Sequence, residues 1–195
     1  MSKTFRQKDQ GFLTYPTGGW RKAMFKWPVH LWRLGLAPVI GHHMVLISHT
    51  GRKTGLTRRT MTELHVVDGK KYAPSGFGRR AQWYRNIEVD PRVTIQTAAG
   101  AESAIARRVT DGDELLAVMD LEDPMNMVML KSYLATLEIE PTPEDIVAKK
   151  DRIYYLRFEP TDEPTPPSLP ADLIWLWPAA LFALFTAWLL TRERG

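Results

Sequence analysis

The stretch Gly51-Arg52-Lys53-Thr54-Gly55-Leu56-Thr57-Arg58-Arg59 packs four cations and hydroxyl side chains between and just after two glycines. It separates two segments with strand character. Met44–Thr50 is apolar and β-branched, and Thr60–Val67 alternates small or apolar with polar residues. Glycine allows a tight turn and a close approach to a ligand, and cations beside such a turn form an anion site. The stretch predicts a hairpin whose turn binds an anionic group, and a solvated basic turn is the alternative.

The composition places this site in a chain that is otherwise ordinary for a globular protein. The 195 residues carry a net charge of +4 and contain no cysteine, which excludes disulfides and thiolate chemistry. Residues 51–85 contain nine Lys/Arg and only two acidic residues. Residues 111–145 contain ten Asp/Glu, and Lys131 is their only basic residue. This asymmetry favours an anionic small ligand and argues against a nucleic-acid partner.

The segments that flank the basic turn predict further short strands. Asp68-Gly69 is a hairpin turn signal, after which Lys70–Pro74 returns as a strand. A glycine-rich loop and a short helix follow, at residues 75–78 and 81–90. Further strands are predicted at 92–97, 102–110 and 152–158, and helices at 113–119 and 125–137. This pattern predicts a mainly β fold with helices, a small barrel of residues 41–159 rather than a βαβ sheet.

Both ends of the chain lie outside this predicted barrel. Residues 1–40 form an amphipathic segment rich in Trp and basic residues, which suits either a membrane interface or a capping element. Residues 160–172 are a Pro-rich linker. Residues 173–191 begin with eighteen uncharged residues, which predict a transmembrane anchor. Because residues 1–15 have no signal-peptide core, we expect a single-pass protein of the cell membrane with its barrel in the cytoplasm.

Four motifs in this order resemble a known family. They are Thr50–Arg58, Ser75–Arg80, the run Trp83-Tyr84-Arg85-Asn86 and the run Asp90-Pro91-Arg92-Val93. The chain resembles the deazaflavin (F-420)-dependent nitroreductase family, of the nitroreductase or quinone reductase type. The resemblance implies a split β-barrel (FMN-binding-like) and coenzyme F-420 as the cofactor, with FMN or no cofactor as alternatives.

The resemblance also implies the residues of the site. The cofactor phosphate and acidic tail would lie on Arg52, Lys53, Thr54 and Arg58, the deazaflavin near Ser75 and Gly76, and the nearby helix would contribute Trp83 and Asn86. The family's proton-donating tyrosine falls in the part of the chain that matches poorly, where Tyr133 is the candidate. Histidine spacing predicts no metal site.

Two functions are compatible with these features. The first is a membrane-anchored oxidoreductase that uses reduced deazaflavin to reduce a quinone-like or nitro acceptor. The second is a non-catalytic split-barrel subunit of a membrane protein complex, for which the departures from the family pattern at Met61, Glu63 and Gly76 leave room. The expected partners are the lipid bilayer, a quinone-like small molecule, and either a membrane complex or a second copy in a homodimer.

Overall fold

A computed structural model describes residues 28–121 and 124–192 of the chain. Most of the predicted N-terminal segment, residues 1–27, lies outside this range. Its remainder forms two short helices, α1 (Val29–Arg33) and α2 (Ala37–Ile40). Pro28 directly precedes α1, where its fixed φ and missing N–H are tolerated. The barrel is therefore preceded by a compact helical cap in the part of this segment that the structure describes.

Seven antiparallel strands make one sheet in the order β2-β1-β5-β6-β7-β4-β3. Their bounds are Met44–Thr50 (β1), Thr57–Glu63 (β2), His65–Val67 (β3), Lys70–Pro74 (β4), Arg92–Thr97 (β5), Gly100–Arg108 (β6) and Tyr155–Pro160 (β7). Three of them, β1, β4 and β5, have the bounds that the sequence predicts. The single strand predicted from Thr60 to Val67 is instead two strands, interrupted at Leu64.

The interruption at Leu64 closes the sheet into a barrel. Strands β2 and β3 are separated by this one residue, yet they lie at opposite ends of the hydrogen-bonded order. One residue can join the two ends only if the sheet curls round to bring them together. The Thr62 hydroxyl donates to the Pro74 carbonyl at 3.0 Å, across the closure between β2 and β4. The predicted mainly β barrel is therefore present.

Four helices pack beside the barrel, and the buried hydrophobic residues form two separate clusters. The helices are α3 (Gln82–Val89), α4 (Gly112–Met119), α5 (Pro124–Thr136) and α6 (Pro143–Ala148), of which the sequence analysis predicts all but α6. Val45, Ile47 and Ile95 belong to the cluster inside the barrel. A second cluster joins α4–α6 to Tyr72 and Tyr155 of the sheet. The candidate site lies between these two cores.

The Pro-rich segment after β7 has no helix or strand, as expected, but it binds the outer face of the sheet. We call residues 161–172 the strap. Gln96 donates to the Leu169 carbonyl at 3.0 Å and accepts from the Leu169 N–H at 2.6 Å. The Thr94 hydroxyl contacts Thr165 at 2.7 Å. Buried side chains of β5 thus find their hydrogen-bonding partners on the strap.

The C-terminal helix corrects the prediction of a transmembrane anchor. It is α7, Leu176–Arg192, and has 17 residues. No helix in the described part of the chain is both long and apolar enough to cross a membrane. The apolar run does not turn helical at Leu173, because Asp172 forms a bidentate ion pair with Arg33 and the Leu173 N–H donates to the Arg33 carbonyl. The predicted transmembrane helix, and with it the single-pass location in the cell membrane with a cytoplasmic barrel, is therefore wrong.

Candidate active site

A cavity of about 1330 Å³ lies along β2 and β3 and reaches from the basic turn to helices α4 and α5. Such a volume exceeds the roughly 300–1,000 Å³ of a typical small-molecule pocket. We call residues 51–58 the basic end, and His65, Tyr133 and Tyr155 with their apolar neighbours the aromatic end. Arg58 and His65 are seven residues apart along the extended chain, which is roughly 20 Å. The cavity can therefore hold two different chemical groups at its two ends.

The basic end is a tight turn held by backbone hydrogen bonds between its own residues. The N–H groups of Thr54 and Gly55 donate to the Gly51 carbonyl, at 3.0 and 2.8 Å, and the Gly51 N–H donates to the Leu56 carbonyl at 2.9 Å. A Cβ on Gly51 would lie 3.0 Å from Thr54 Oγ1, so only glycine fits there without a shift. Most backbone N–H groups of this turn are thus already paired, so side chains are the main groups available to an anion at this end.

Arg52 attaches the turn to α3. Its guanidinium donates to the Asn86 Oδ1 at 2.8 Å and to the Gln82 Oε1 at 2.8 Å. Its backbone N–H also donates to Asn86 Oδ1 at 3.2 Å. Arg52 and Asn86, both predicted to bind the cofactor, line the cavity. Their hydrogen-bonding groups are used mainly to hold the turn in place.

This arrangement fixes the proton on a buried histidine of β1. Arginine can only donate, so the oxygen of Asn86 faces Arg52 and its amide nitrogen faces His49 Nδ1, at 3.3 Å. His49 Nδ1 must then accept, which places the ring proton on Nε2. Burial lowers the pKa of His49 to about 4, so the ring is neutral at pH 7. The sequence analysis did not assign His49 to this network.

Two cations at the basic end are free to bind a ligand. Lys53 and Arg58 are exposed and line the cavity. Within the described part of the chain, neither forms an ion pair or a hydrogen bond. Thr54 lies beside them, and its hydroxyl accepts from the Leu56 N–H at 3.4 Å. Unpaired cations at a concave surface fit a cofactor with a phosphate and carboxylates.

The predicted residues of the glycine-rich loop (residues 75–78) and of α3 differ in whether they face the cavity. Gly76 and Trp83 line the cavity, and Trp83 packs edge-on against Tyr84 at 6.1 Å. Ser75 does not line it. This residue is fully buried, and its hydroxyl donates to the Gly78 carbonyl at 3.0 Å. In this structure Ser75 shapes the loop, and Gly76 is the residue that faces the cavity.

The aromatic end brings together side chains from three separate parts of the sequence. The Tyr155 ring lies 5.6 Å from the His65 ring and 6.2 Å from the Tyr133 ring. The Tyr133 hydroxyl accepts from the Tyr154 N–H at 3.2 Å, and burial raises the pKa of Tyr133 far above its ordinary range. Its O–H proton therefore stays bound and is available for donation in a hydrogen bond. Val118 and Leu130 add apolar surface.

A family match agrees with this geometry. Residues 35–126, just under half of the chain, match the family model described as F420H(2)-dependent quinone reductase. The matched range includes the basic turn, the glycine-rich loop and α3. The match confirms the predicted family resemblance, and with it the prediction of a deazaflavin-dependent oxidoreductase with coenzyme F-420. None of the curated proteins matches the chain.

Several solved structures are similar at low identity. The protein Atu2129 (unknown function) from Agrobacterium tumefaciens is 16% identical with a TM-score of 0.39; 72% of this chain and 59% of that chain are covered. The conserved hypothetical protein Rv2991 from Mycobacterium tuberculosis is 16% identical with a TM-score of 0.39, over 65% and 78% of the two chains. An F420-H2 dependent reductase (FDR-A) is 22% identical with a TM-score of 0.36, over 60% and 93%.

Proposed function

We propose that this chain binds coenzyme F-420 along its cavity and uses it to reduce a quinone-like acceptor. The observation that carries the proposal is the continuity of one cavity from two unpaired cations to an aromatic, apolar wall. The cofactor's phosphate and acidic tail suit Lys53 and Arg58. A flat apolar acceptor suits the rings at the other end.

The residues of the basic end would bind and orient the cofactor. Lys53 and Arg58 supply charge, and Thr54 supplies a hydroxyl beside them. The anchoring of Arg52 on Asn86 keeps the turn in one conformation before any ligand arrives, which lowers the entropic cost of binding. When it is bound, the reduced deazaflavin would supply the hydride, and the protein would bind and orient it.

The residues of the aromatic end would receive the acceptor and exclude water. Tyr133, which stays our candidate for the catalytic tyrosine, would donate a hydrogen bond to an acceptor oxygen through its retained proton. Tyr155 lies between Tyr133 and His65 and offers a ring for stacking. A quinone-like compound fits this end because it combines a flat apolar ring with carbonyl oxygens.

The binding half of the proposal is tested with single variants. Each charge-assisted contact is worth roughly 1.5–3 kcal/mol, so Lys53→Ala and Arg58→Ala should each weaken F-420 binding about tenfold or more. Quenching of cofactor fluorescence measures the affinity. Lys70→Ala is the matched control, since Lys70 is exposed on β4 away from the cavity. Unchanged affinity in both cavity variants would contradict the assignment.

The second half is tested by turnover. Reduced F-420 and the wild-type chain should convert menadione to its hydroquinone, monitored through the loss of reduced cofactor. We expect quinones to be better acceptors than water-soluble nitro compounds, because the aromatic end is lined mostly by apolar side chains. Turnover of nitro compounds alone would refute the quinone assignment while leaving the cofactor site in place.

A further inference from the structure

A carboxylate and an imidazole face each other where β2 passes into β3. Glu63 and His65 flank Leu64, so the two-residue period of an extended chain puts their side chains on the same side. His65 Nε2 lies 3.7 Å from Glu63 Oε2. Both side chains line the cavity, and they are 14% and 34% exposed for His65 and Glu63 respectively. The pair is thus part of the cavity wall and is only partly accessible to solvent.

The ring of His65 has one nitrogen turned to the carboxylate and one without a partner. Nε2 is buried and makes no hydrogen bond at normal length, so Glu63 is the group that faces it. Nδ1 makes no hydrogen bond to any residue that the structure describes. An imidazolium in this place would direct one N–H toward Glu63 and leave the second for a ligand.

The tyrosines around His65 hold their protons, and the nearby Glu114 is paired with other residues. Tyr72 is the strand partner of His65, and its hydroxyl donates to Glu114, which also pairs with Arg157. The pKa of Tyr72 is raised to about 12 by burial and by that hydrogen bond, and burial raises those of Tyr133 and Tyr155 further. The titratable groups in contact or strand-paired with His65 are Glu63 on β2, Tyr72 on β4 and Tyr155 on β7, and Asp120 and Tyr133 line the same cavity.

We propose that the Glu63–His65 pair delivers the proton that quinone reduction needs in addition to the hydride. This inference rests on the proposed function. Reduction of a quinone to its hydroquinone takes up one hydride and one proton. The hydride and its two electrons come from the reduced deazaflavin, and His65 Nδ1–H gives the proton to the quinone oxygen that becomes anionic. Water then returns a proton to the imidazole, and Glu63 acts as the positioning residue that faces Nε2 and orients the ring.

Histidine suits this step better than the neighbouring tyrosines. An imidazole exchanges its proton near neutral pH, which is the condition for an effective general acid. The buried hydroxyl of Tyr133 retains its proton under the same conditions and can only donate a hydrogen bond. The two groups therefore have separate tasks at the same end of the cavity.

The test compares four full-length proteins: wild type, His65→Gln, Glu63→Gln and His42→Gln. His42 is exposed and does not line the cavity, so it is the matched control. Because general acids contribute roughly 10²–10⁴-fold, we expect His65→Gln to reduce menadione turnover about 100-fold with F-420 affinity unchanged. The pH profile of turnover should differ between the wild type and His65→Gln, since only the wild type has an imidazole at this position. Glu63→Gln should keep the pH dependence with a reduced rate.

Two further readouts separate proton delivery from a structural role. Added imidazole should restore part of the turnover of His65→Ala, because the cavity is open, and it should not help Tyr133→Phe. Menadione binding to the cofactor-free chain, followed by tryptophan fluorescence, should weaken about tenfold in His65→Ala, because alanine has no hydrogen-bond donor. Wild-type turnover and pH dependence retained in His65→Gln would overturn the inference alone. No turnover by the wild-type chain would overturn the proposed function together with it.

Discussion

The two ends of the cavity hold their side chains in opposite ways. At the basic end, Lys53 and Arg58 are exposed and unpaired, and the rigidity comes from the backbone turn beneath them. At the aromatic end, Tyr133 and Tyr155 are buried and support one another. The basic end is an exposed charged surface on a hydrogen-bonded turn. The aromatic end is a part of the core that borders the cavity. Changes at the basic end should therefore alter binding, and changes at the aromatic end should alter stability and turnover.

The largest expected effect follows from removing both charges at the basic end. The double variant Lys53→Ala/Arg58→Ala loses two charge-assisted contacts, which together amount to roughly 3–6 kcal/mol. F-420 should then bind at least about 100-fold more weakly in a fluorescence titration. Menadione binding to the cofactor-free chain and the midpoint of thermal unfolding should stay at the wild-type values. A large drop in the unfolding midpoint would show that the basic end is part of the folding core after all.

The second prediction concerns the pH dependence of the free energy of unfolding, which arises from His49, buried beneath the basic end. The folded-state pKa of His49, about 4, lies below the ordinary 6.5. The folded chain therefore binds fewer protons than the unfolded chain between these values. The stability from neutral His49 is complete above about pH 6.5 and is lost as pH falls toward 4, by up to roughly 3 kcal/mol.

Urea unfolding at a series of pH values measures this loss. His49→Gln should have a flatter curve between pH 7 and 4, whereas exposed His42→Gln should follow the wild type. Parallel curves for His49→Gln and the wild type would contradict the assignment of a buried, neutral ring.

A smaller effect is expected from the side chain that joins the turn to α3. Asn86→Ala leaves His49 and Arg52 without their shared partner, which should lower the free energy of unfolding by about 1–3 kcal/mol. It should also weaken F-420 binding several-fold, because the turn is then held less firmly. Gln82→Ala removes only an exposed contact to Arg52 and should cost less than about 1 kcal/mol. Equal losses in the two variants would mean that burial of Asn86 is not the cause.

The last prediction concerns one hydroxyl at the aromatic end, whose loss should lower stability only slightly. Tyr133→Phe removes the acceptor of the Tyr154 N–H, for a loss of about 1 kcal/mol in unfolding free energy. F-420 affinity should be unchanged while menadione turnover falls. Tyr155→Phe is the control, since its hydroxyl makes no hydrogen bond to the residues that the structure describes. A change in F-420 affinity with Tyr133→Phe would show that the two ends are coupled.

The same contrast explains what the sequence could predict. The basic end is contiguous, so its glycines and cations are visible as a motif, and seven of the eight predicted cofactor residues line the cavity. Ser75 is buried and does not line the cavity, because a loop sequence does not reveal which of two neighbours faces inward. His65, Tyr133 and Tyr155 come from three distant segments, which the pairing of β3, β4 and β7 and the packing of α5 bring together. That arrangement depends on tertiary packing, which periodicity does not encode.

The C-terminal error has a similar physical origin. An uncharged run of eighteen residues predicts a helix of that length, because such a prediction uses only the length and hydrophobicity of a continuous segment. The Arg33–Asp172 ion pair, which joins residues 139 positions apart, delays the helix to Leu176. Composition reported the apolar character of this segment correctly, but a long-range contact decided where the helix begins.

The hydrogen bonds between the barrel and the strap limit which amino-acid substitutions this chain can accept during evolution. Gln96 contacts the backbone N–H and carbonyl of Leu169, and neither contact depends on the Leu169 side chain. These two contacts are kept with any residue except proline at position 169, whereas position 96 requires an amide that both donates and accepts. In related chains, we expect the strap to keep its length and spacing while its individual residues drift, and the glutamine that binds it to persist.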